Sequence, residues 1–393
     1  MIIRDIKIRE IFSHNLKKTI EVEITTSKGS VRASVPIGTS RGKNEVTYLD
    51  ANQVVNRFLE IKENFEMKEF KDVYEIDQKL KELDGTENFS NIGGNLALGI
   101  SLASLKAFAL YEDKKPFEYL SEISGFDVKI PKPVSNVIGG GKHGGKTDFQ
   151  EFLLIDLHME EFSTTASKIA DAYYKISKIL VEKDPFFTFG RNLESAWITS
   201  LKLDEILSLL REISNEYQLV LGIDFAASEL WDGENYVYKH ANSKLTRVEQ
   251  LVYIAKLAEE NNIYYLEDPF DQEDFVSFSA LTNRLPRKLI VGDDLYCTNP
   301  KRLEKGIKFK ASNGIIVKPN QVGTLSDVIE VVRMAKKNGI KTVVSHRSGE
   351  TEDPILAHIA VGLGSEFIKL GIAGERTIKV NELIRIEEYL NSK

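Results

Sequence analysis

Cysteine is almost missing: Cys297 is the one thiol in 393 residues, which excludes an internal disulfide framework and a cysteine-built zinc site. Basic residues do not dominate either. The 52 Lys and Arg against 59 Asp and Glu leave a formal charge of −7, the wrong sign for a chain whose main partner is a nucleic-acid backbone. Long apolar runs are lacking too. The start, MIIRDIKIRE, alternates charged with apolar residues and has no apolar core of a secretory signal. The most apolar helical stretch, 96–111, carries Lys106 and is too short and mixed to span a bilayer. Neither internal repeats nor low-complexity segments are found. The expectation is a cytoplasmic, soluble chain with no nucleic-acid or membrane partner. Its composition, 42% hydrophobic and 28% charged, excludes disorder, and its length suits two or three domains, or a small domain plus a large barrel.

The first part reads as α+β. In 19–26 (TIEVEITT) Ile20, Val22 and Ile24 share one side, the period of a half-buried strand. Lys28-Gly29 supplies a turn, and 31–35 is its hairpin partner. Helices are predicted near 51–64, 68–83 and 93–112. Pro131 and Pro133 mark a boundary, which divides the chain into a capping domain at 1–128 and a barrel at 129–393. Beyond it, short apolar runs at 219–224, 263–267, 289–293, 315–318, 341–345 and 366–369 alternate with amphipathic helices. One of these helices, 324–338, opens on a Thr324/Asp327 capping arrangement and closes at Gly339, a left-handed position. Such alternation implies parallel pairing through helical crossovers, and six units in about 180 residues suit a TIM-type barrel.

Gly140 to Thr147 (GGKHGGKT) fits the phosphate-cradling pattern G-x-x-x-x-G-K-T. That loop needs a following helix whose amides point at the phosphates. Here 149–157 (FQEFLLIDL) reads as a strand, so a mobile loop carrying His143 over a substrate is the preferred reading, with a nucleotide-binding P-loop as the competing one.

The strongest pattern is the placement of charge at strand ends. Asp224, Glu267, Asp293, Lys318 and Lys369 each end a predicted barrel strand, and His346 follows another, at spacings of 43, 26, 25, 28 and 23 residues. The C-terminal ends of barrel strands face one mouth, where the chemistry of such folds is done. Three carboxylates from consecutive strands repel one another unless a cation lies between them, and an oxygen-only donor set suggests Mg2+. Any single one of these acids, taken alone, is better read as a helix N-cap or a surface carboxylate; it is the three in step with the strands that point to a metal. A partly desolvated lysine among other cations has a lowered pKa and can accept a proton; a structural ion pair is the alternative for Lys318 and Lys369. Arg347 and Ser348, after His346, offer a guanidinium fork and a hydroxyl suited to phosphate or carboxylate.

The segments LGIDFAASEL, LEDPF, VGDDL, VKPNQVGTLS, VVSHRSGETED and NELIRIEEYL, with LDGTEN near 83–88, resemble the enolases, the phosphopyruvate hydratases of glycolysis, over nearly the whole chain. The resemblance implies an α/β fold: an N-terminal α+β capping domain and a modified TIM barrel that opens with two antiparallel strands. It implies a carbon–oxygen lyase acting on a small phosphorylated acid, with Mg2+ on Asp224, Glu267 and Asp293 and a second Mg2+ on Ser40 of a lid loop. Lys318 would abstract the C2 proton and Lys369 would bind the carboxylate. His346, Arg347 and Ser348 would lie against substrate and phosphate, and His143 would close over it. Glu194 would act as acid, with Glu151 placing the departing hydroxyl. A homo-oligomer, dimer or octamer, is also implied.

Four features depart from the family pattern. The Gly-Asp-Glu-Gly-Gly loop has become Asn192-Leu193-Glu194-Ser195-Ala196, which keeps the glutamate and loses its aspartate and glycines. Arg41 stands where a lid threonine is usual, the His143 loop is one residue shorter, and an early Ser-Arg-Gly-Asn-Pro-Thr has become Ser13-His14-Asn15-Leu16-Lys17-Lys18-Thr19. The base side is intact and the leaving-group side is altered. Besides the lyase, this leaves an enzyme for a different phosphorylated or 2-hydroxy acid, or a non-catalytic binding protein.

Overall fold

The computed structural model describes residues 1–38 and 44–393; Ser40 and Arg41 lie outside them. Three antiparallel strands, β1 (Asp5–Phe12), β2 (Lys18–Thr25) and β3 (Ser30–Ser34), open the chain as a meander with β2 in the centre. Ile20, Val22 and Ile24 are fully buried on one face of β2, as their alternation requires. Helices α1 (Ala51–Ile61), α2 (Val73–Asp84), α3 (Gly94–Tyr111) and α4 (Pro116–Ser124) follow. The apolar helix α3 packs on this sheet. Gly99 allows the approach, since a Cβ there would meet Val22 Cγ2 at 2.8 Å. By length and composition α3 is apolar enough to cross a membrane, but 83% of it is buried within the protein, so its apolarity serves the core.

The helix expected near 68–83 starts later, at Val73, where Asp72 accepts the Glu75 N–H at 2.9 Å. Lys68–Glu69 instead pairs with Ile2–Ile3 as a short ribbon. Strand β1 and helix α4 were not anticipated. β1 buries only Ile6 fully, so its alternation is weak, and α4 is nine residues long.

Eight strands then close a barrel: β4 (Lys132–Gly139), β5 (Glu151–Ile155), β6 (Val220–Asp224), β7 (Ile263–Glu267), β8 (Leu289–Gly292), β9 (Gly314–Val317), β10 (Lys341–Ser345) and β11 (Phe367–Lys369). β4 and β5 pair antiparallel, β5 is antiparallel to β6 as well, and every other neighbouring pair is parallel. Two helices, α5 (Phe162–Lys183) and α6 (Leu203–Tyr217), separate β5 from β6. One helix follows each later strand: α7 (Arg247–Glu260), α8 (Phe275–Arg284), α9 (Pro300–Phe309), α10 (Leu325–Lys337), α11 (Ile355–Gly362) and α12 (Thr377–Asn391). Thr324 caps α10 and Gly339 takes φ +70° just past it, as read from the sequence.

The strands alternate, with register irregularities at 136–138 and 263–265. Tyr265, Val291, Ile316, Val343 and Phe367 fill the barrel interior together with Val134, Leu153 and Ile155. Their neighbours Leu266, Ile290, Ile315, Val344 and Ile368 join the outer core under the helices. The capping sheet docks on the barrel mouth: Ile37 bridges Gly349, Asp353 accepts the Ser34 N–H at 2.9 Å, and the Lys106 Nζ lies 2.7 Å from the same carboxylate.

Candidate active site

Alternation explains why charge gathers at the mouth. Two positions beyond the inward residues Tyr265, Val291, Ile316, Val343 and Phe367 come Glu267, Asp293, Lys318, Ser345 and Lys369, which inherit the inward direction at the C-terminal ends. Because β5 runs the other way, its first residue, not its last, reaches this rim. Glu151, two before inward Leu153, pairs in register with Asp224, which pairs with Glu267 on its other side.

The lysines are woven into the acids. Lys369 Nζ lies 2.8 Å from Asp224 Oδ2, 2.8 Å from Glu267 Oε1 and 3.2 Å from Glu151 Oε2. Lys318 Nζ pairs with Asp293 Oδ2. Glu267 has no exposed surface, and Tyr265 OH donates to its other oxygen at 2.7 Å. Burial and then Asp224 push the Glu267 carboxyl up to about 8; burial and Asp293 push Asp294 up to about 7. More carboxylate is gathered here than two ammonium groups offset. All donors from Asp224, Glu267 and Asp293 are hard oxygens, so this set fits a divalent cation such as Mg2+. The tightest knot of ligand atoms among the described residues, however, is His143, Glu151 and Glu194, all within 4.8 Å of one another.

The expected lowering of the Lys318 pKa is not found. Burial lowers it, but Asp293 outweighs burial and the neighbouring Arg347 and Lys369, so the net direction is up. Lys369 is likewise held protonated by Asp224, Glu151 and Glu267 against its burial.

The other wall carries His143, Glu151, Glu194 and His346, all buried. His143 Nδ1 stands 3.4 Å from Glu194 Oε1 and 3.6 Å from Glu151 Oε1. Burial and then Glu194 push Glu151 well above the carboxylate range. Burial acts the same way on Glu194, but His143, His346 and Arg376 outweigh it and hold it ionised. The two carboxyls are thus pushed in opposite directions, Glu151 up and Glu194 down. Arg376 Nε donates to His346 Nδ1 at 2.9 Å, fixing that nitrogen as an acceptor. His346 Nε2 faces Glu194 Oε2 at 3.5 Å, too long for a well-formed hydrogen bond. Burial, the leading cause, lowers the His346 pKa to about 4.

The altered loop holds its glutamate by new means. Asn192 Oδ1 accepts the N–H groups of Glu194 and Ala196 at 2.9 and 3.0 Å, Asn136 Nδ2 donates to Glu194 Oε2 at 3.3 Å, and Leu193 N–H reaches the His143 carbonyl at 3.1 Å. Ser195 takes φ +62°, a left-handed conformation. The P-loop reading fails: residues 141–143 form one turn of 3-10 helix, a strand follows at Glu151, and Thr147 Oγ1 donates to Phe149 O.

Arg347 and Ser348 line the same cavity. Arg347 Nη1 lies 3.1 Å from Glu45 of the capping domain and 3.1 Å from Asn320. Sequence reasoning missed Glu45, Asp268, Asp294, Gln321, Asn136 and Arg376. Two had a signal: the second acids in LEDPF and VGDDL, Asp268 and Asp294. Asp268 accepts the N–H groups of Asp293 and Asp294 at 3.0 and 2.7 Å and so sets the end of β8.

Residues 127–393 match the model of the enolase C-terminal TIM barrel domain, and residues 3–120 match that of the enolase N-terminal domain. The chain belongs to the enolase family. It is 41% identical to the enolase of Pyrobaculum aerophilum, covering 99% of this chain and 97% of that one. It is 40% identical to the enolase of Picrophilus torridus, with 99% of each chain covered, and 40% to that of Archaeoglobus fulgidus, over 100% of this chain and 98% of that one. Similarity to enolases thus runs through both the capping sheet and the barrel.

Proposed function

We propose that the chain is a Mg2+-dependent carbon–oxygen lyase that interconverts 2-phosphoglycerate and phosphoenolpyruvate in glycolysis and gluconeogenesis. The observation that carries this reading is the meeting of Lys318 and Lys369 with Asp224, Glu267 and Asp293 at one rim, in a chain of the enolase family. Asp224, Glu267 and Asp293 would hold the Mg2+, which would supply positive charge to offset the negative charge of a substrate carboxylate. A second Mg2+ at Ser40 belongs to the proposal.

Lys318 Nζ, as the free amine, takes the C2 proton. The C2–C3 double bond forms as the C3–O bond breaks, and the hydroxyl leaves as water with a proton from the acid wall. Asp293 is what keeps Lys318 protonated here. Asp293 would be one of the residues holding the cation; its hold on Lys318 would then weaken, and burial, Arg347 and Lys369 would favour the amine. On the acid wall the protonated Glu151 is the donor closest in state to what the leaving group needs, with Glu194 and His143 orienting it. Arg347 and Ser348 hold the phosphate, His346 lies beside them, and Lys369 offsets the charge that develops on the carboxylate. Self-association as a dimer or octamer is part of the same proposal, and sedimentation velocity reads it.

The direct test is the rise in ultraviolet absorbance as 2-phosphoglycerate becomes the enol phosphate, with Mg2+ and with a chelator. Turnover that depends on Mg2+ supports the reading. A folded chain that gives none with Mg2+ overturns it.

A further inference from the structure

His14 lies on the turn between β1 and β2, in the stretch where the early family motif is lost. The turn is tied internally: Ser13 N–H donates to Lys17 O at 2.9 Å, and the Ser13 hydroxyl donates to Asn15 Oδ1 at 2.6 Å. The His14 backbone N–H donates to Glu350 O at 2.9 Å, which pins the turn to the loop bearing His346, Arg347 and Ser348. Glu350 is itself fixed, accepting the Arg347 N–H at 2.9 Å and pairing with Lys379 at 2.9 Å.

The His14 ring faces acceptors only. Its Nε2 is 3.0 Å from Leu193 O and 3.3 Å from Glu375 Oε1, and its Nδ1 is 3.4 Å from Glu350 O. Nε2 must therefore donate. Leu193 immediately precedes Glu194. On the far side Ser195 Oγ donates to Glu375 Oε2 at 3.1 Å. One imidazole–carboxylate pair thus grips the acid loop on both flanks of Glu194. Glu375 also pairs with Arg376, whose Nε reaches His346, so the grip continues into the site.

We propose that His14 is a positioning residue for the leaving-group half of the reaction: from the capping domain, through Leu193 O and Glu375, it sets where Glu194 stands. This rests on the lyase reading above. It pairs two departures of this chain, since the histidine appears where the early motif is lost and grips the loop that has lost its aspartate and glycines.

The experiment measures two rates on the Mg2+-loaded chain: formation of enol phosphate, and exchange of the C2 proton of 2-phosphoglycerate with deuterated solvent. Exchange needs only Lys318 and the carboxylate side. In His14→Leu, which has no donor, elimination falls about tenfold or more while exchange stays within about twofold, because misplacing one group by about an ångström costs up to 10²-fold. kcat carries the loss and KM does not. His14→Gln, whose amide keeps an N–H at similar reach, restores most of it. His14→Asn, too short to reach Leu193 O, repeats the loss without adding apolar surface should His14→Leu misfold. Equal loss of both rates, or no loss in either, overturns the positioning role. Unaltered protein that neither exchanges nor eliminates overturns the lyase reading and this one with it.

Discussion

The two walls of the mouth are built differently. On the base wall Asp293, Lys318 and Lys369 follow regular parallel strands, and their direction is set by the pleat and the ladder. On the acid wall His143 and Glu194 lie on loops, and Glu151 begins the one reversed strand. There, position comes from side-chain hydrogen bonds: Asn192, Asn136 and Tyr173, whose hydroxyl donates to Ser195 O at 2.5 Å. Register tolerates sequence change outside the strand ends. A loop held by individual bonds changes whenever one of them is replaced. Position on the base wall therefore follows from register, and position on the acid wall from a few individual bonds.

The largest effect should come from Lys318→Ala, which removes the base and with it both rates; elimination and C2 exchange each fall by at least about 10²–10⁴-fold. Exchange that survives would erase the distinction between the walls. Glu194→Gln separates them: elimination drops by about 10- to 100-fold as the Glu151 donor loses its orienting partner, while exchange continues, as followed by NMR of the C2 position. Asn192→Ala leaves two N–H groups without an acceptor. It should lower kcat about 10- to 100-fold through misplacement of Glu194 and cost about 1–2 kcal/mol in denaturant unfolding.

The smallest effect concerns pH. His346 is neutral in the fold, with a pKa of about 4, and takes its usual value of about 6.5 when unfolded. Between these values the unfolded chain binds the extra proton, so stability is full above about 6.5 and is lost as pH falls towards 4. His346→Asn should flatten the fall in unfolding free energy over that window, by at most roughly 3 kcal/mol in denaturant titrations. An unchanged acid limb would show that burial of this imidazole between Arg376 and Glu194 does not matter to folding.

Legibility in the sequence followed the same divide. Strand ends spaced by one βα unit exposed Asp224, Glu267, Asp293, Lys318 and Lys369, because a period of two makes direction predictable. The charges are indeed gathered, but the protonation of Lys318 depends on one oxygen of Asp293, which no spacing reveals. Glu151 escapes any rule about C-terminal strand ends, since β5 is reversed, and it was found through family resemblance. Glu45 and His14 reach the site through contacts 302 and 179 residues apart in sequence, and Arg376 through one 30 residues apart, and local pattern holds no trace of them. Ser40 falls outside the described residues.

The central claim is that Lys318 takes a proton from C2 of a phosphorylated acid while the opposite wall releases hydroxyl. Deuterium uptake at C2 of 2-phosphoglycerate, measured with Mg2+ in unaltered protein and in Lys318→Ala, tests it most directly. Uptake in the first and none in the second is the predicted result. Equal uptake in both, or none in either, contradicts the account.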